Sequence, residues 1–231
     1  MTDPGPVTSV AGAISRMEQL VAALPPSDGV ACFSRMYLTV TQEVGRRIGD
    51  GFFVDPPFMD HLDVVFANRF FAAVDGWALD PPATPRSWAV LFARRDDPDV
   101  APLQFALAGM NAHINHDLPQ AVVAACRDLE TSPGDGSHEA DYDKVNVVLG
   151  ELDQTIRQSF ETGFILDLDR HFGGLENVVG NFSMTAAREV AWGNAVALWH
   201  LSGERPLASL FLEGLDRSVA FAGRGLLLPV G

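Results

Sequence analysis

The sequence is short of lysine, cysteine and tyrosine. Lys144 is the single lysine among 16 basic residues, and there are two cysteines and two tyrosines in 231 residues. Cys32 and Cys126 lie far apart in apolar stretches, which favours buried free thiols over a disulfide. Neither cysteine belongs to a CxxC pair, so the sequence lacks that signature of zinc and redox sites.

Long hydrophobic runs are also missing. No apolar segment reaches the ~20 residues of a membrane-spanning helix, and the start, MTDPGPVTSVAG, lacks the basic and apolar regions of a signal peptide. Acidic residues outnumber basic ones by 30 to 16, which gives a formal net charge of −14. Such a surface repels phosphate backbones and anionic lipids. We therefore predict a cytoplasmic protein that binds a small molecule, not nucleic acid or membrane; a homodimer is compatible with this prediction.

Apolar residues are plentiful, at 47% of the chain, and they recur at helical spacing. No stretch alternates with period two between hairpin turns, and no internal repeat is visible. The pattern predicts an all-α, single-domain bundle of about eight helices over residues 9–225, after a flexible N-terminus at 1–8. The predicted helices cover residues 9–24, 29–51, 55–82, 84–95, 97–130, 141–160, 183–203 and 206–223. The predicted N-caps of the third, fourth, sixth and seventh of these helices are Asp55, Thr84, Asp141 and Ser183 or Thr185.

Two stretches fall outside these helices. TSPGDGSHEA (131–140) is the clearest loop and is predicted to be a lid or a tolerated insertion. FILDLDRHFGGLENVV (164–179) is compatible with a short strand at its start or with a helical turn. Its Asp167, Asp169 and His171 alternate along the chain, which is typical of an exposed polar loop.

The stretch GMNAHINHDLP (109–119) concentrates polar residues in the longest predicted helix. At about 100° per residue, one stripe of this helix carries Gly109, His113, His116 and Asp117. A second face carries Asn111 and Asn115. The glycine allows another helix or a ligand to approach closely beneath His113.

Pro119 and the surrounding apolar residues make this stretch unusual. No face between residues 103 and 118 looks solvent-exposed, so we expect the helix to be buried all round. An unpaired buried polar group costs about 1–3 kcal/mol, so these side chains must find partners. Pro119 removes a backbone hydrogen bond and predicts a bend or restart near His116 and Asp117.

Three interpretations of the stripe stay open. The polar residues form a buried network that locks helix packing. Alternatively, His113 and Asp117, with or without His116, bind one Zn²⁺ or Fe²⁺ ion. In the third interpretation, His113, His116 or Asp117 performs acid–base catalysis without a metal. In both catalytic interpretations, Asn111 and Asn115 would orient the substrate.

Residues outside the stripe are candidates for substrate binding. Asp75 lies near the end of an apolar helix, where an acid opposes the helix dipole. Arg188 and Trp192 lie one turn apart, and Arg188 would pair with Asp117, with Asp143 or with a substrate carboxylate. Asp143 follows the predicted loop and projects toward the central helix.

Standard catalytic motifs are absent: the sequence has no GxGxxG, Walker A, GxSxG or HExxH pattern. Instead, GMNAHINHDLP together with FANRFFAAV, DYDKVN and AREVAW resembles an uncharacterised bacterial all-helical family, domain of unknown function 5995, recognised by its NAHINHDL-type motif. The resemblance runs from about Cys32 to Leu212. It implies a central site at this motif without an established activity.

A local similarity to zinc-dependent phospholipase C and related single-strand nucleases rests on Gly109, His113, Asp117 and Pro119. Those enzymes are all-helical and carry the same Gly-x3-His-x3-Asp pattern followed by a proline. They also use an N-terminal tryptophan and further histidines as ligands, which this sequence lacks. The similarity therefore implies one ion at most and not a trinuclear centre.

Together these patterns predict an enzyme of bacterial small-molecule metabolism with a buried His/Asp site. A metal-dependent hydrolase or lyase and a metal-free cyclase or isomerase both fit. The alternative is a non-catalytic ligand-binding or scaffold protein whose polar core is structural.

Overall fold

The computed structural model describes residues 5–162 and 183–229, without the side chains of 153–162. These residues form helices and no strand, which confirms the predicted all-α bundle. The helices are α1 (Val10–Ala23), α2 (Gly29–Gly49), α3 (Pro56–Leu79), α4 (Arg86–Phe92), α5 (Pro102–Ala112), α6 (Leu118–Asp128), α7 (His138–Thr162), α8 (Met184–Leu201) and α9 (Arg205–Leu226).

Side-chain caps explain where several helices begin. Ser9, Asp28, Asp55 and Ser183 each accept a hydrogen bond from a backbone N–H in the first turn of α1, α2, α3 and α8. The prediction that Thr84 caps α4 is wrong. The Asp216 carboxylate, from α9, accepts the N–H groups of Arg86 and Ser87 at 3.0 and 2.9 Å.

The loop after α6 is shorter than predicted, because α7 already begins at His138. Asp141, predicted as the N-cap of this helix, lies inside its first turn and is buried. Its carboxylate accepts the N–H groups of Val54 and Asp55 at 2.9 and 2.6 Å. Asp141 thus holds the chain that leads into α3, a long-range contact that a local capping pattern does not reveal.

The N-terminal segment contacts α3. The Val7 N–H donates to Asn68 Oδ1, and Asn68 Nδ2 donates back to the Val7 carbonyl, both at 2.8 Å. Within the described residues, no helix is both long enough and apolar enough to span a membrane. Cys32 and Cys126 are buried free thiols, as predicted, and burial raises the pKa of each to about 11.

Helices α5 and α6 run through the middle of the bundle and pack against α2, α3, α4, α8 and α9. The predicted close approach at Gly109 is confirmed, because Phe33 of α2 lies directly on this glycine. A Cβ atom there would lie 2.5 Å from Phe33 Cγ, too close for any side chain. The aromatic core can therefore reach the polar stretch of the central helix.

Candidate functional site

A π-helical turn, His113–Asp117, joins α5 to α6. The Leu118 N–H donates to the His113 carbonyl across this wider turn. Pro119 follows directly and has no N–H to donate, so the turn lies where the regular hydrogen-bond ladder must break. The structure thus has an irregular turn at the position where the sequence predicts a bend or restart.

Asp117 is the centre of a buried polar cluster. Its Oδ2 atom lies 2.8 Å from the Trp88 indole nitrogen and 3.1 Å from His113 Nδ1. Its Oδ1 atom lies 2.8 Å from His116 Nδ1. We call these four residues the Asp117 network; it joins three of the predicted site residues and adds Trp88, which the sequence analysis did not single out.

The protonation state of the network follows from Asp117. Burial raises the pKa of this carboxyl, but the hydrogen bonds from His113 and His116 lower it more, to well below its usual range. An ionised carboxylate only accepts hydrogen bonds, so both imidazoles donate from Nδ1. Burial keeps His113 neutral by lowering its pKa, so the Nε2 atom of this histidine is an acceptor.

His116 uses its remaining nitrogen within the protein. Its Nε2 lies 3.3 Å from Gln120 Nε2, which also donates to the His116 carbonyl at 2.9 Å. Gln120 Oε1 in turn accepts from Arg69 Nη1 at 3.1 Å. A continuous series of hydrogen bonds therefore runs from Arg69 to Asp117.

His113 differs because its Nε2 is buried and has no hydrogen-bond partner among the described residues. The ring is 2% exposed and stacks on Phe66, with 3.5 Å between centroids and 3° between planes. Phe33, Tyr37 and Trp88 approach it from other directions. Burial lowers the pKa of His113 more than Asp117 raises it, so the imidazole is neutral.

An apolar cavity lies beside His113, between α2, α3, α5, α7 and α8. It has about 730 Å³ of empty volume, including its open mouth. Its polar lining residues are His113, Asp63, Tyr37, Tyr142 and Arg188, set among mainly apolar side chains. A mainly apolar wall with few polar groups is typical of small-molecule sites.

Asp63 is a cavity residue that the sequence analysis did not select, because an acidic residue near the start of a helix is ordinarily explained by a favourable interaction with the helix dipole. Its Oδ2 is buried without a hydrogen-bond partner in the described structure. Burial, with a smaller contribution from the charge of Asp60, raises the pKa of Asp63 to about 7. An available signal was the position of Asp63 one turn before Phe66, in the aromatic stripe of the same helix.

Tyr37 was also missed. Its hydroxyl is buried and has no hydrogen-bond partner among the described residues. Burial, followed by the nearby charge of Asp63, raises the pKa of Tyr37 well above its usual value. The ring contacts His113 edge to face, with 4.6 Å between centroids. Tyr37 is thus a neutral hydroxyl close to the imidazole.

Arg188 lines the cavity, but the predicted pairing with Asp117 or Asp143 is wrong. It forms no ion pair with Asp117, Asp143 or any other described carboxylate. Instead it donates to Asn146 Oδ1 at 2.9 Å and to the Tyr142 carbonyl at 2.6 Å, and its guanidinium stacks on the Tyr142 ring. Burial lowers the pKa of Arg188.

Three predicted substrate-binding residues lie outside the cavity lining. Asn111 donates to the Val219 carbonyl at 2.9 Å and accepts from Asn115 at 3.2 Å, so the two asparagines fasten the central helix to α9. Asp75 pairs with Arg16 at 2.5 Å, which offsets its unfavourable position near the end of α3.

Trp192 and Asp143 are not part of the cavity lining either. Trp192 is buried against Tyr142, with 4.7 Å between ring centroids. Asp143 is exposed on α7. The polar stretch with Asp167, Asp169 and His171 lies outside the described residues.

The three predicted metal ligands do not assemble a metal site in the described structure. No group of three His, Cys, Asp or Glu side chains is arranged there to hold a metal ion. Both imidazoles turn Nδ1 toward Asp117 at hydrogen-bond distances, and their Nε2 atoms have different surroundings. The donor set fits a proton-bearing network better than a shared ion.

The chain belongs to a family of unknown function, DUF5995, whose model matches residues 10–229. This confirms the family that the NAHINHDL-type motif indicated and extends the match over most of the chain. Searches of curated proteins and of solved structures found no match. The local similarity to zinc-dependent phospholipase C stays a prediction.

Proposed function

We propose that the protein is an enzyme that moves a proton on a small, largely apolar molecule, with His113 Nε2 as the general base. One observation carries the proposal: His113 lines an apolar cavity, its buried Nε2 has no hydrogen-bond partner among the described residues, and ionised Asp117 holds its Nδ1. This arrangement orients the base and stabilises the imidazolium formed when Nε2 takes a proton. The reaction class is isomerisation, cyclisation or elimination.

The other polar groups of the cavity have complementary roles. Asp63 holds a proton below about pH 7 and can return it to the substrate as the general acid. Tyr37 supplies a neutral hydroxyl that hydrogen-bonds a carbonyl or hydroxyl group. Arg188, which lacks a carboxylate partner among the described residues, orients an anionic or carbonyl oxygen. Metal-assisted chemistry at His113, His116 and Asp117 has less support, because the Nδ1 atoms of both histidines and both carboxylate oxygens of Asp117 are used in hydrogen bonds.

The test uses 5-nitrobenzisoxazole, an apolar aromatic compound whose ring opens when a base removes one proton. We expect a saturable rate above the buffer rate, and a loss of about 100-fold in kcat/KM for His113→Gln. His200→Gln is the matched control, because His200 is an exposed histidine on α8. This control should keep the wild-type rate.

A second variant covers the case in which His113→Gln fails to fold. Val40→Phe places a larger ring in the cavity from a half-buried position on α2 and leaves the Asp117 network intact. It should lower the rate while the circular dichroism spectrum stays unchanged. A rate equal to that of buffer in the wild type, or one unaffected by both changes, would contradict the proposal.

The second candidate is a non-catalytic carrier of an apolar ligand. It is favoured by the lining of the cavity, where apolar side chains greatly outnumber polar ones. The same compound distinguishes the two functions. A carrier would bind it, with displacement of a fluorescent dye from the cavity, but would not open its ring.

A further inference from the structure

A second depression lies between α3, α6, α8 and α9 and is much more polar than the cavity. We call it the groove; it has about 1100 Å³ of empty volume, including open solvent. Its polar lining consists of Arg69, Arg127, Arg205, Gln120, Ser202 and Ser209. The groove and the cavity have no lining residue in common.

Charge sets the groove apart from the rest of the molecule. It gathers three of the chain's 16 basic residues, although the net charge of the chain is −14. None of its lining residues is acidic. Arginines of an acidic protein are normally neutralised by neighbouring carboxylates, as Arg16, Arg46 and Arg47 are here. Three of them without an acid between them form a local positive field.

Arg127 and Arg205 have free guanidinium groups in the described structure. Both are exposed, and neither makes an ion pair with a described residue. Arg127 lies in the last turn of α6, and Arg205 is the first residue of α9. The positive end of the α9 helix dipole therefore adds to the positive charge of Arg205 at this side of the groove.

Arg69 supplies the buried side of the groove. Its Nη1 donates to Gln120 Oε1, but its Nε is buried without a hydrogen-bond partner among the described residues. An unpaired buried donor is costly in a folded protein and usually indicates an additional partner. Arg69 thus makes one hydrogen bond, to Gln120, which also lines the groove, and its other guanidinium donors are not used by described residues.

We propose that the groove binds the phosphate group of a small phosphorylated molecule. A phosphate monoester carries about −1.5 to −2 charges near neutral pH and offers three strong acceptor oxygens. Guanidinium groups bind such oxygens in bidentate pairs, and the Ser209 hydroxyl can complete the hydrogen bonding, while the Ser202 hydroxyl already donates to the Trp199 carbonyl. The site is separate from the proposed catalytic cavity, so each proposal can fail without the other.

Calorimetric titration with inorganic phosphate tests the site in the full chain. We expect saturable binding with one site per chain in wild-type protein, and binding about tenfold weaker in Arg127→Gln and in Arg205→Gln. Both residues are exposed, so these variants should fold. Arg224→Gln is the matched control, because Arg224 is exposed on the same helix as Arg205 but outside the groove lining.

The control and a second anion decide between specific binding and general attraction. Arg224→Gln should bind phosphate as the wild type does, and succinate should bind more weakly than phosphate. The proposal is overturned if phosphate shows no saturable binding, if Arg224→Gln loses as much affinity as Arg205→Gln, or if succinate binds as tightly as phosphate, which would indicate a carboxylate site.

Discussion

The cavity and the groove touch successive stretches of one helix, yet their chemistry is opposite. Met110, His113 and Leu118 face the cavity, while Gln120 and Arg127 line the groove a few residues later. In the cavity, the Nε2 atom of the neutral His113 imidazole has no partner and lies in apolar surroundings. The groove leaves guanidinium groups without carboxylates in polar surroundings. The difference suggests that proton transfer belongs to the first region and charge recognition to the second.

The two regions meet at the Asp117 network. His113 lines the cavity and has a free Nε2, whereas the Nε2 of His116 contacts Gln120, which itself lines the groove. Asp117 thus holds two imidazoles in surroundings of different polarity. Substitutions at or near this carboxylate therefore test whether the cavity and the groove have separate roles.

Asp117→Asn should have the largest effect, because it disrupts both sides. An amide cannot accept from three N–H donors as the ionised carboxylate does, so one donor would face the new NH₂ group. We expect the free energy of unfolding at pH 7 to fall by about 3–5 kcal/mol, measured by urea denaturation. The exposed Asp143→Asn should stay within about 0.5 kcal/mol of wild type.

Lowering the pH should reduce the difference in the free energy of unfolding between Asp117→Asn and wild type. The folded-state pKa of Asp117 is lowered, so its contribution is present above the unfolded pKa, near about 4, and is lost as the pH falls further. If this difference in unfolding free energy stays constant as the pH falls, the charge of the carboxylate is not what stabilises the network.

Asp63→Asn tests whether water reaches the Asp63 carboxylate in the cavity. The pKa of Asp63 is raised from 3.8 to about 7, so the folded chain keeps a proton that the unfolded chain loses between these values. Asp63 therefore reduces stability increasingly as the pH rises from about 4 to 7. Because asparagine resembles the protonated form, the variant should be about 2–3 kcal/mol more stable than wild type at pH 8.

The same comparison at pH 4 supplies the internal reference, since the two proteins should then be about equally stable. Denaturation in urea at both pH values measures the difference. A variant that is no more stable than wild type at pH 8 would show that water reaches the Asp63 carboxylate and that its pKa is ordinary.

Asp63 also shows where sequence reasoning stopped. Helical spacing, caps such as Asp55 and Ser183, and the polar stripe were enough to predict the bundle and to bring His113, His116 and Asp117 together. These features depend on residues near one another in the chain. The burial of Asp63 and Tyr37 depends on side chains from α5, α7 and α8, whose positions no local pattern specifies.

The two asparagines lie outside the cavity lining, which the sequence could not reveal for a related reason. Spacing placed Asn111 and Asn115 correctly on a face separate from the histidines, but it gave no information about what packs there. The contact with the Val219 carbonyl of α9 makes that face structural. A buried polar residue is equally suited to a ligand and to a neighbouring backbone, and only the tertiary structure distinguishes them.

Gly109→Ala should have the smallest effect and should act on the cavity side alone. The new methyl group would collide with the Phe33 ring, which also contacts His113, and would push the aromatic wall away from the imidazole. Overpacking should outweigh the better helix propensity of alanine and lower the free energy of unfolding by about 1–2 kcal/mol. Phosphate binding in the groove should not change.

Gly150→Ala is the matched control for this change. Gly150 is exposed on α7, and no atom of another described residue lies within 4 Å of the position of a Cβ there. Because alanine is the better helix former, the control should gain about 0.5–1 kcal/mol. Urea denaturation of both variants gives two shifts of opposite sign if Phe33 presses on Gly109. Equal gains would mean that the ring moves aside freely, and that the aromatic wall does not hold His113 in place.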